Sequence, residues 1–287
     1  MKQYKVAIIG NGMICNAAHI PAYKAMGDKV KIVAVADIRE EAAKETAERH
    51  GIPKYYVDPY KMLEEEKPDI ISVCTPNAYH KEYTLAGFRV GCHVVCEKPV
   101  AVTCADAEEM FNAAEKAGKH LFVIQSLRFT GNFKAAAGLA KSGCLGDIYY
   151  ADLNLVRRRG VPRWGMFHMA KENVGGAFCD LGVHMCDYLM SISGNPKMVS
   201  VSGSAVTRIV NKEKNIEFSN AESGAPTGLF TPRKFDMKEF DVEEFANGYI
   251  RLENGMTVTF KISWALNLPN SNTVSICGDK GGLTIGD

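Results

Sequence analysis

A chain of 287 residues is long for one compact domain and short for three, so two domains are the first expectation. Hydrophobic residues at 46% and charged residues at 23% exclude disordered, collagenous and coiled-coil classes, and 34 basic against 33 acidic residues leave no field favouring nucleic acid or an anionic membrane. Nine cysteines without CxxC pairing, an apolar run from Val6 to Ile9 too short for a leader, and no stretch near the ~18 apolar residues of a spanning helix point to reduced thiols and a cytoplasmic location.

The first 125 residues repeat one rhythm, a short β-branched run followed by a turn and a helical stretch. The runs are Lys5 to Ile9, Lys31 to Ala36, Ile70 to Cys74, His93 to Cys96 and His120 to Ile124, apolar nearly throughout, as strands buried on both faces of a parallel sheet should be. Helices are expected between them, for example Glu40 to His50 before Gly51, and Ala105 to Ala117 before Gly118. This is an α/β pattern, a doubly wound parallel sheet over residues 1–124.

Beyond Gln125 the pattern changes. Helical stretches are expected near Asn132 to Lys141 and Leu181 to Ser193, with strands at Ile148 to Arg157, Met198 to Ile209, Val242 to Leu252, Thr257 to Ala265 and Thr273 to Cys277. Glu253-Asn254-Gly255 reads as a hairpin turn, residues 211–235 as a long loop, and residues 125–287 as an α+β domain with a large open antiparallel sheet. The chain closes abruptly inside the strand that a Gly-Asp-Lys-Gly-Gly turn introduces, which leads to the expectation of a further tail.

Four constellations carry chemistry. The first strand runs into Gly10-Asn11-Gly12-Met13-Ile14-Cys15 and then a helix, the context of a dinucleotide turn in which backbone N–H groups and the helix N-terminus receive a pyrophosphate. Cys15 stands where a third glycine is usual, which is expected to loosen the packing of helix on strand. Asp37 ends the second strand, where a carboxylate would accept the adenosine ribose hydroxyls and repel a 2′-phosphate; NAD is therefore favoured over NADP, with Arg39 placed to stack on adenine or pair with such a phosphate. Glu97-Lys98-Pro99 follows the strand His93 to Cys96, so Lys98 projects into the crevice beyond the strand ends. Asp180 and His184, four apart, share one helix face, the imidazole suited to take a hydroxyl proton. Taken singly, each has a plainer reading: a tight βα turn, a helix cap, a solvated turn, and a helix carboxylate near a packed histidine. His93, His120 and His168 stand alone, and Cys179 and Cys186 lack a zinc spacing, so no metal site is expected.

Together, GNGMI followed by His19-Ile20-Pro21, Asp37, Cys74-Thr75-Pro76-Asn77 with His80, Glu97-Lys98-Pro99 and Asp180-xxx-His184 resemble the Gfo/Idh/MocA oxidoreductases over nearly the whole chain. The resemblance implies a Rossmann domain, a C-terminal domain with an open sheet, and NAD(P)-linked oxidation or reduction of a sugar, polyol or cyclitol. It matches Lys98, Asp180 and His184 to the catalytic set, with His184 as general base, and Thr75, Pro76, Asn77, His80, Glu97 and Gln125 to the nicotinamide and ribose. Family members generally run some tens of residues longer. Arg157, Arg158, Arg159, Arg163 and Trp164 crowd one loop; either they are a solvated or subunit-facing loop, or Arg163 and Trp164 join Arg128 as substrate contacts. An open sheet face is normally covered by another subunit, so a homodimer or homotetramer is expected. Two rivals remain. One is a redox-neutral enzyme that cleaves or epimerises a glycoside around tightly held NAD; the other is a sensor of dinucleotide or sugar, against which the retained Lys98, Asp180 and His184 argue.

Overall fold

Strand β1 (Tyr4–Ile9) buries Val6 to Ile9 almost completely, as a central strand covered on both faces must. Parallel to it run β2 (Val30–Ala36), β3 (Tyr55–Tyr56), β4 (Ile70–Val73), β5 (His93–Cys96) and β6 (Leu121–Val123), in the order β3-β2-β1-β4-β5-β6. The edge strand β3 was not among the expected strands, because two residues show no periodicity. The computed structural model describes residues 2–210, 218–219, 221–224 and 228–286.

The covering helices are α1 (Ile20–Ala25), α2 (Glu40–His50), α3 (Pro59–Glu66), α4 (His80–Arg89) and α5 (Cys104–Ala117). Their ends follow local chemistry. Asp58 accepts the N–H groups of Tyr60 and Lys61 ahead of Pro59, Thr103 accepts that of Asp106, and Gly51 and Gly118 close α2 and α5. Strand order reverses between β1 and β4, which opens a crevice beyond the carboxyl ends of the strands.

The second sheet contains β7 (Ile148–Val156), β8 (Met198–Val206), β9 (Phe245–Leu252), β10 (Thr257–Ser263), β11 (Ser271–Gly278) and β12 (Gly282–Gly286), in the order β12-β11-β7-β10-β9-β8. Four of its pairings are antiparallel, but β7 and β10 run parallel, from Tyr150 opposite Thr257 to Val156 opposite Ser263, so the sheet is mostly rather than wholly antiparallel. One face packs on α6 (Gly131–Lys141) and α8 (Val183–Ile192) through Phe133, Leu153, Leu181, Tyr188, Val258 and Ile262. A short helix α7 (Ala170–Asn173) precedes the glycine pair. The other face is polar and uncovered: Tyr150 and Asp152 hydrogen-bond Thr259, and Lys261, Asn247 and Tyr249 line the same groove. Of the loop expected over 211–235, residues 211–217, 220 and 225–227 lie outside the described residues. No helix among the described residues is long and apolar enough to cross a membrane.

Candidate active site

The glycine turn is shaped by backbone proximity. Gly10 has φ +90°, and a Cβ there would lie 2.6 Å from the carbonyl carbon and oxygen of Cys74, so only glycine fits. Around a Cβ on Gly12 there is nothing within 4 Å; this is open space above the helix that begins at Met13 and Ile14. That helix widens into a π-turn over Cys15–His19, a deviation often found beside functional sites. Cys15 is fully buried in the cluster of Ile8, Ile20 and Val35, with Asn11 Nδ2 donating to its sulfur.

Asp37 bridges this turn to α2: Oδ2 accepts the Asn11 N–H at 2.8 Å and Oδ1 the Arg39 N–H at 2.9 Å. The Arg39 guanidinium lies 3.9 Å from the same carboxylate and donates to the Thr231 carbonyl. Residues 228–231 are strapped onto α2, with Arg49 donating to the Gly228 carbonyl and the Thr231 N–H to Glu45. Three buried polar atoms at the strand ends, Asn11 Oδ1, Thr75 Oγ1 and Gln125 Oε1, have no hydrogen-bond partner in the protein. Together with the open space at Gly12 they fit a dinucleotide, because buried polar atoms ordinarily find partners.

Other residues expected to line the cofactor are engaged by the protein. The His80 ring is wedged between the carbonyls of Pro99 (Nδ1, 2.7 Å) and Thr75 (Nε2, 2.9 Å), so neither nitrogen is open to a ligand; it braces two loops instead. Asn77 donates from Nδ2 to the Asn173 carbonyl, tying the loop after β4 to α7, and Pro76 leads into that short turn. Buried Glu97 bonds His19 Nε2 at 2.8 Å through Oε1 and accepts the Lys98 N–H at 3.2 Å through Oε2. The chain continues from His19 Nδ1 to Ser72 and Tyr23.

Facing this crevice, Lys98, Asp180 and His184 come together. Lys98 Nζ donates to Asp180 Oδ1 and to its carbonyl, both at 2.8 Å, and each side chain is only 14% exposed. Asp180 Oδ2 accepts the indole N–H of Trp264 at 3.0 Å. Burial alone would raise the Asp180 pKa, but the Lys98 ammonium, assisted by Arg157 and the indole N–H, holds it below the usual carboxylate range. Burial and then the nearby Lys98 charge push His184 down to about 4, so its imidazole is neutral at pH 7; Nδ1 is buried without a partner. Asp180 sits in a second π-turn, Phe178–Gly182, one turn before His184 on α8.

The segment ahead of that helix is gripped by Glu243, whose carboxylate accepts the N–H groups of Gly176 (2.8 Å) and Phe178 (2.9 Å) and favours the helix N-terminus. A Cβ on Gly176 would meet the Glu243 carbonyl oxygen at 1.9 Å, which explains the glycine. Neighbouring Glu244 is buried, and it accepts the N–H groups of Arg208, Ile209 and Val210. Neither role was foreseen from the sequence, where Val242 to Leu252 reads as a strand.

The side chains of the arginine loop are engaged by the protein. Arg157 Nη1 donates to the Ser223 carbonyl, Arg159 Nη2 to Asn267, and Arg163 Nη2 to the Phe218 carbonyl while also lying 5.9 Å from that ring. Arg128 is bidentate to Asp187 at 2.7 and 2.6 Å. Trp164 is buried, its ring edge-on to Phe167. The guanidinium groups of Arg157, Arg159 and Arg163 therefore pin Ser223, the turn after β10 and Phe218, and the Arg128 guanidinium braces α8.

Both halves of the chain resemble known proteins. The Gfo/Idh/MocA oxidoreductase model, an NAD-binding Rossmann fold, matches residues 4–125, and the model of the Gfo/Idh/MocA C-terminal domain matches residues 133–284. D-glucoside 3-dehydrogenase of Escherichia coli is 35% identical over 283 residues, covering 98% of this chain and 76% of that enzyme. Myo-inositol 2-dehydrogenase of Thermotoga maritima is 30% identical over 190 residues, 66% of this chain and 55% of that enzyme. GenD2 from gentamicin A biosynthesis, solved with NAD, shares the fold at a TM-score of 0.82 and 22% identity, over 100% of this chain and 73% of its own.

Proposed function

Because the chain belongs to the Gfo/Idh/MocA family of oxidoreductases, we propose that it oxidises a secondary hydroxyl of a pyranose, glycoside or cyclitol with NAD. The observation that carries this reading is the meeting of Lys98, Asp180 and His184 at the mouth of the crevice that begins at Gly10. When bound, the nicotinamide supplies the acceptor for the hydride leaving the carbinol carbon. The neutral imidazole of His184 takes the hydroxyl proton, and the Lys98 ammonium stabilises the alkoxide charge that develops as the proton leaves. Asp180 holds the Lys98 Nζ in place through its carboxylate and its carbonyl. Gly10, Asn11, Gly12, Met13 and Ile14 would hold the pyrophosphate, and Thr75 and Gln125, whose side-chain oxygens lack partners in the protein, would serve the nicotinamide end.

NAD over NADP is supported by the Asp37 carboxylate at the end of β2, and by an Arg39 guanidinium already occupied by Asp37 and the Thr231 carbonyl. Residues 1–124 form the dinucleotide unit and 125–287 the substrate unit in this reading. The polar face of the second sheet pairs with a second copy to make a homodimer or homotetramer, which light scattering would measure.

The test is NADH formation by purified protein with excess NAD across D-glucose, methyl β-D-glucopyranoside, D-glucuronate and myo-inositol, with Lys98→Met as control. A rise for one compound, absent in the control, supports the dehydrogenase. Absence of any rise, with NAD retained through purification, overturns it in favour of a redox-neutral enzyme.

A further inference from the structure

We propose that Trp264 is a positioning residue for proton transfer: its indole N–H holds the second oxygen of Asp180, so that the carboxylate keeps one fixed rotamer against Lys98 beside His184. The inference rests on the roles given above to Lys98, Asp180 and His184. Trp264 is completely buried, immediately after β10, and its indole nitrogen, which can only donate, has an acceptor, whereas that of buried Trp164 has none among the described residues. The acceptor is Asp180 Oδ2 at 3.0 Å, while Oδ1 takes Lys98 Nζ at 2.8 Å. With one donor on each oxygen, rotation of the carboxylate would break two charge-assisted hydrogen bonds.

Trp264 is itself immobilised. Its N–H donates to the Glu244 carbonyl at 2.8 Å, its carbonyl accepts the Gly160 N–H at 2.7 Å, and its ring meets Phe240 edge-on at 6.4 Å. The parallel pairing of β7 and β10 explains how the indole reaches this place. Val156 lies opposite Ser263, so both strands end at the same edge and deliver Arg157 and Trp264 side by side toward the Asp180 turn. An antiparallel pair would have sent them to opposite ends of the sheet. Trp264 touches no reacting atom and acts only through Asp180.

The chain has two tryptophans, Trp164 and Trp264, so an 15N-tryptophan label gives two indole resonances, assigned with Trp264→Phe. In wild-type protein the Trp264 indole proton is expected downfield and protected from exchange. In Asp180→Ala it moves upfield while that of Trp164 stays in place. Kinetics with NAD and the most active compound of the panel above form the second arm. Trp264→Phe lowers kcat about 10- to 100-fold with the KM for NAD unchanged, in proportion to the loss of a hydrogen bond to a charged group. In an Asp180→Asn background the same substitution has no further effect.

An indole resonance indifferent to Asp180→Ala, wild-type kcat in Trp264→Phe, or losses that simply multiply in the double variant would each overturn the proposal. If Trp264→Phe does not fold, Trp164→Phe assigns the two resonances and the Asp180→Ala spectrum still decides. Failure of the underlying reading looks different: Lys98→Met and Asp180→Asn would then keep full activity whatever the indole does.

Discussion

The dinucleotide crevice and the proton-transfer cluster lie side by side yet are built by opposite means. Around Gly10 the frame is made of neighbours in sequence, a strand, a turn with φ +90° and a helix with open space beside Gly12, and the Cys74 carbonyl and Asp37 carboxylate close on it from the ends of the two adjoining strands. Around Asp180 it is made of strangers. Lys98 arrives from β5, 82 residues away, Trp264 from β10, 84 residues away, and Glu243 grips the turn from the start of β9. On the function proposed above, the crevice recognises its ligand with backbone that tolerates little movement, while the cluster adjusts protonation with charges whose energies depend on burial. Damage to the first should appear in cofactor binding, and damage to the second in turnover.

The largest effect is expected from His184→Asn, which should lower kcat about 100- to 10,000-fold by removing the proposed general base, with NAD affinity by fluorescence titration unchanged. Lys98→Met should cost about 100- to 1,000-fold in kcat through lost alkoxide stabilisation, again with NAD binding retained. It also leaves Asp180 a buried charge without its cation, so thermal stability should fall.

The pH dependence sharpens the same contrast. With His184 near 4, the active neutral imidazole persists from pH 7 to 5, and kcat/KM should fall only as pH drops through about 4. For stability, the folded value lies below the ordinary 6.5, so the unfolded chain binds the proton first; stability contributed by neutral His184 is present above 6.5 and lost as pH falls toward 4. The loss approaches about 3 kcal/mol, and a denaturant series at pH 7 and 4.5 should show it reduced in His184→Asn.

In the crevice, Gly10→Ala should destabilise the fold by about 1–3 kcal/mol, through its positive φ and the Cys74 contact, while Gly12→Ala leaves the melting temperature unchanged and weakens NAD alone. Asp37→Ala should have the smallest effect, roughly a tenfold loss of NAD affinity with a narrower preference over NADP, since it removes hydrogen bonds to a partly exposed group. If Gly12→Ala lowered kcat without touching NAD affinity, the division between the two regions would be wrong.

Much of this was legible before any coordinates. The β-branched runs marked five of the six parallel strands, and Asp37, Lys98 and the Asp180-His184 pair stood at strand ends or on one helix face where chemistry could use them. The partners of the arginines were not legible, because a guanidinium's partner is not written beside it: Arg128 meets Asp187 and Arg163 meets Phe218 only after the chain has folded back. His80 sits within a family motif, yet its two ring nitrogens face backbone carbonyls that no pattern reveals.

Periodicity, turn chemistry and the order of motifs are properties of residues close along the chain, so the sequence by itself determined the Rossmann unit, the glycine turn and the residues able to carry acid–base chemistry. The parallel pairing of β7 with β10, and with it the approach of Arg157 and Trp264 to Asp180, was decided only in three dimensions. Strand register and buried donor–acceptor matching are set by which distant surfaces exclude water together, and alternation along a strand is the same whichever way its neighbour runs.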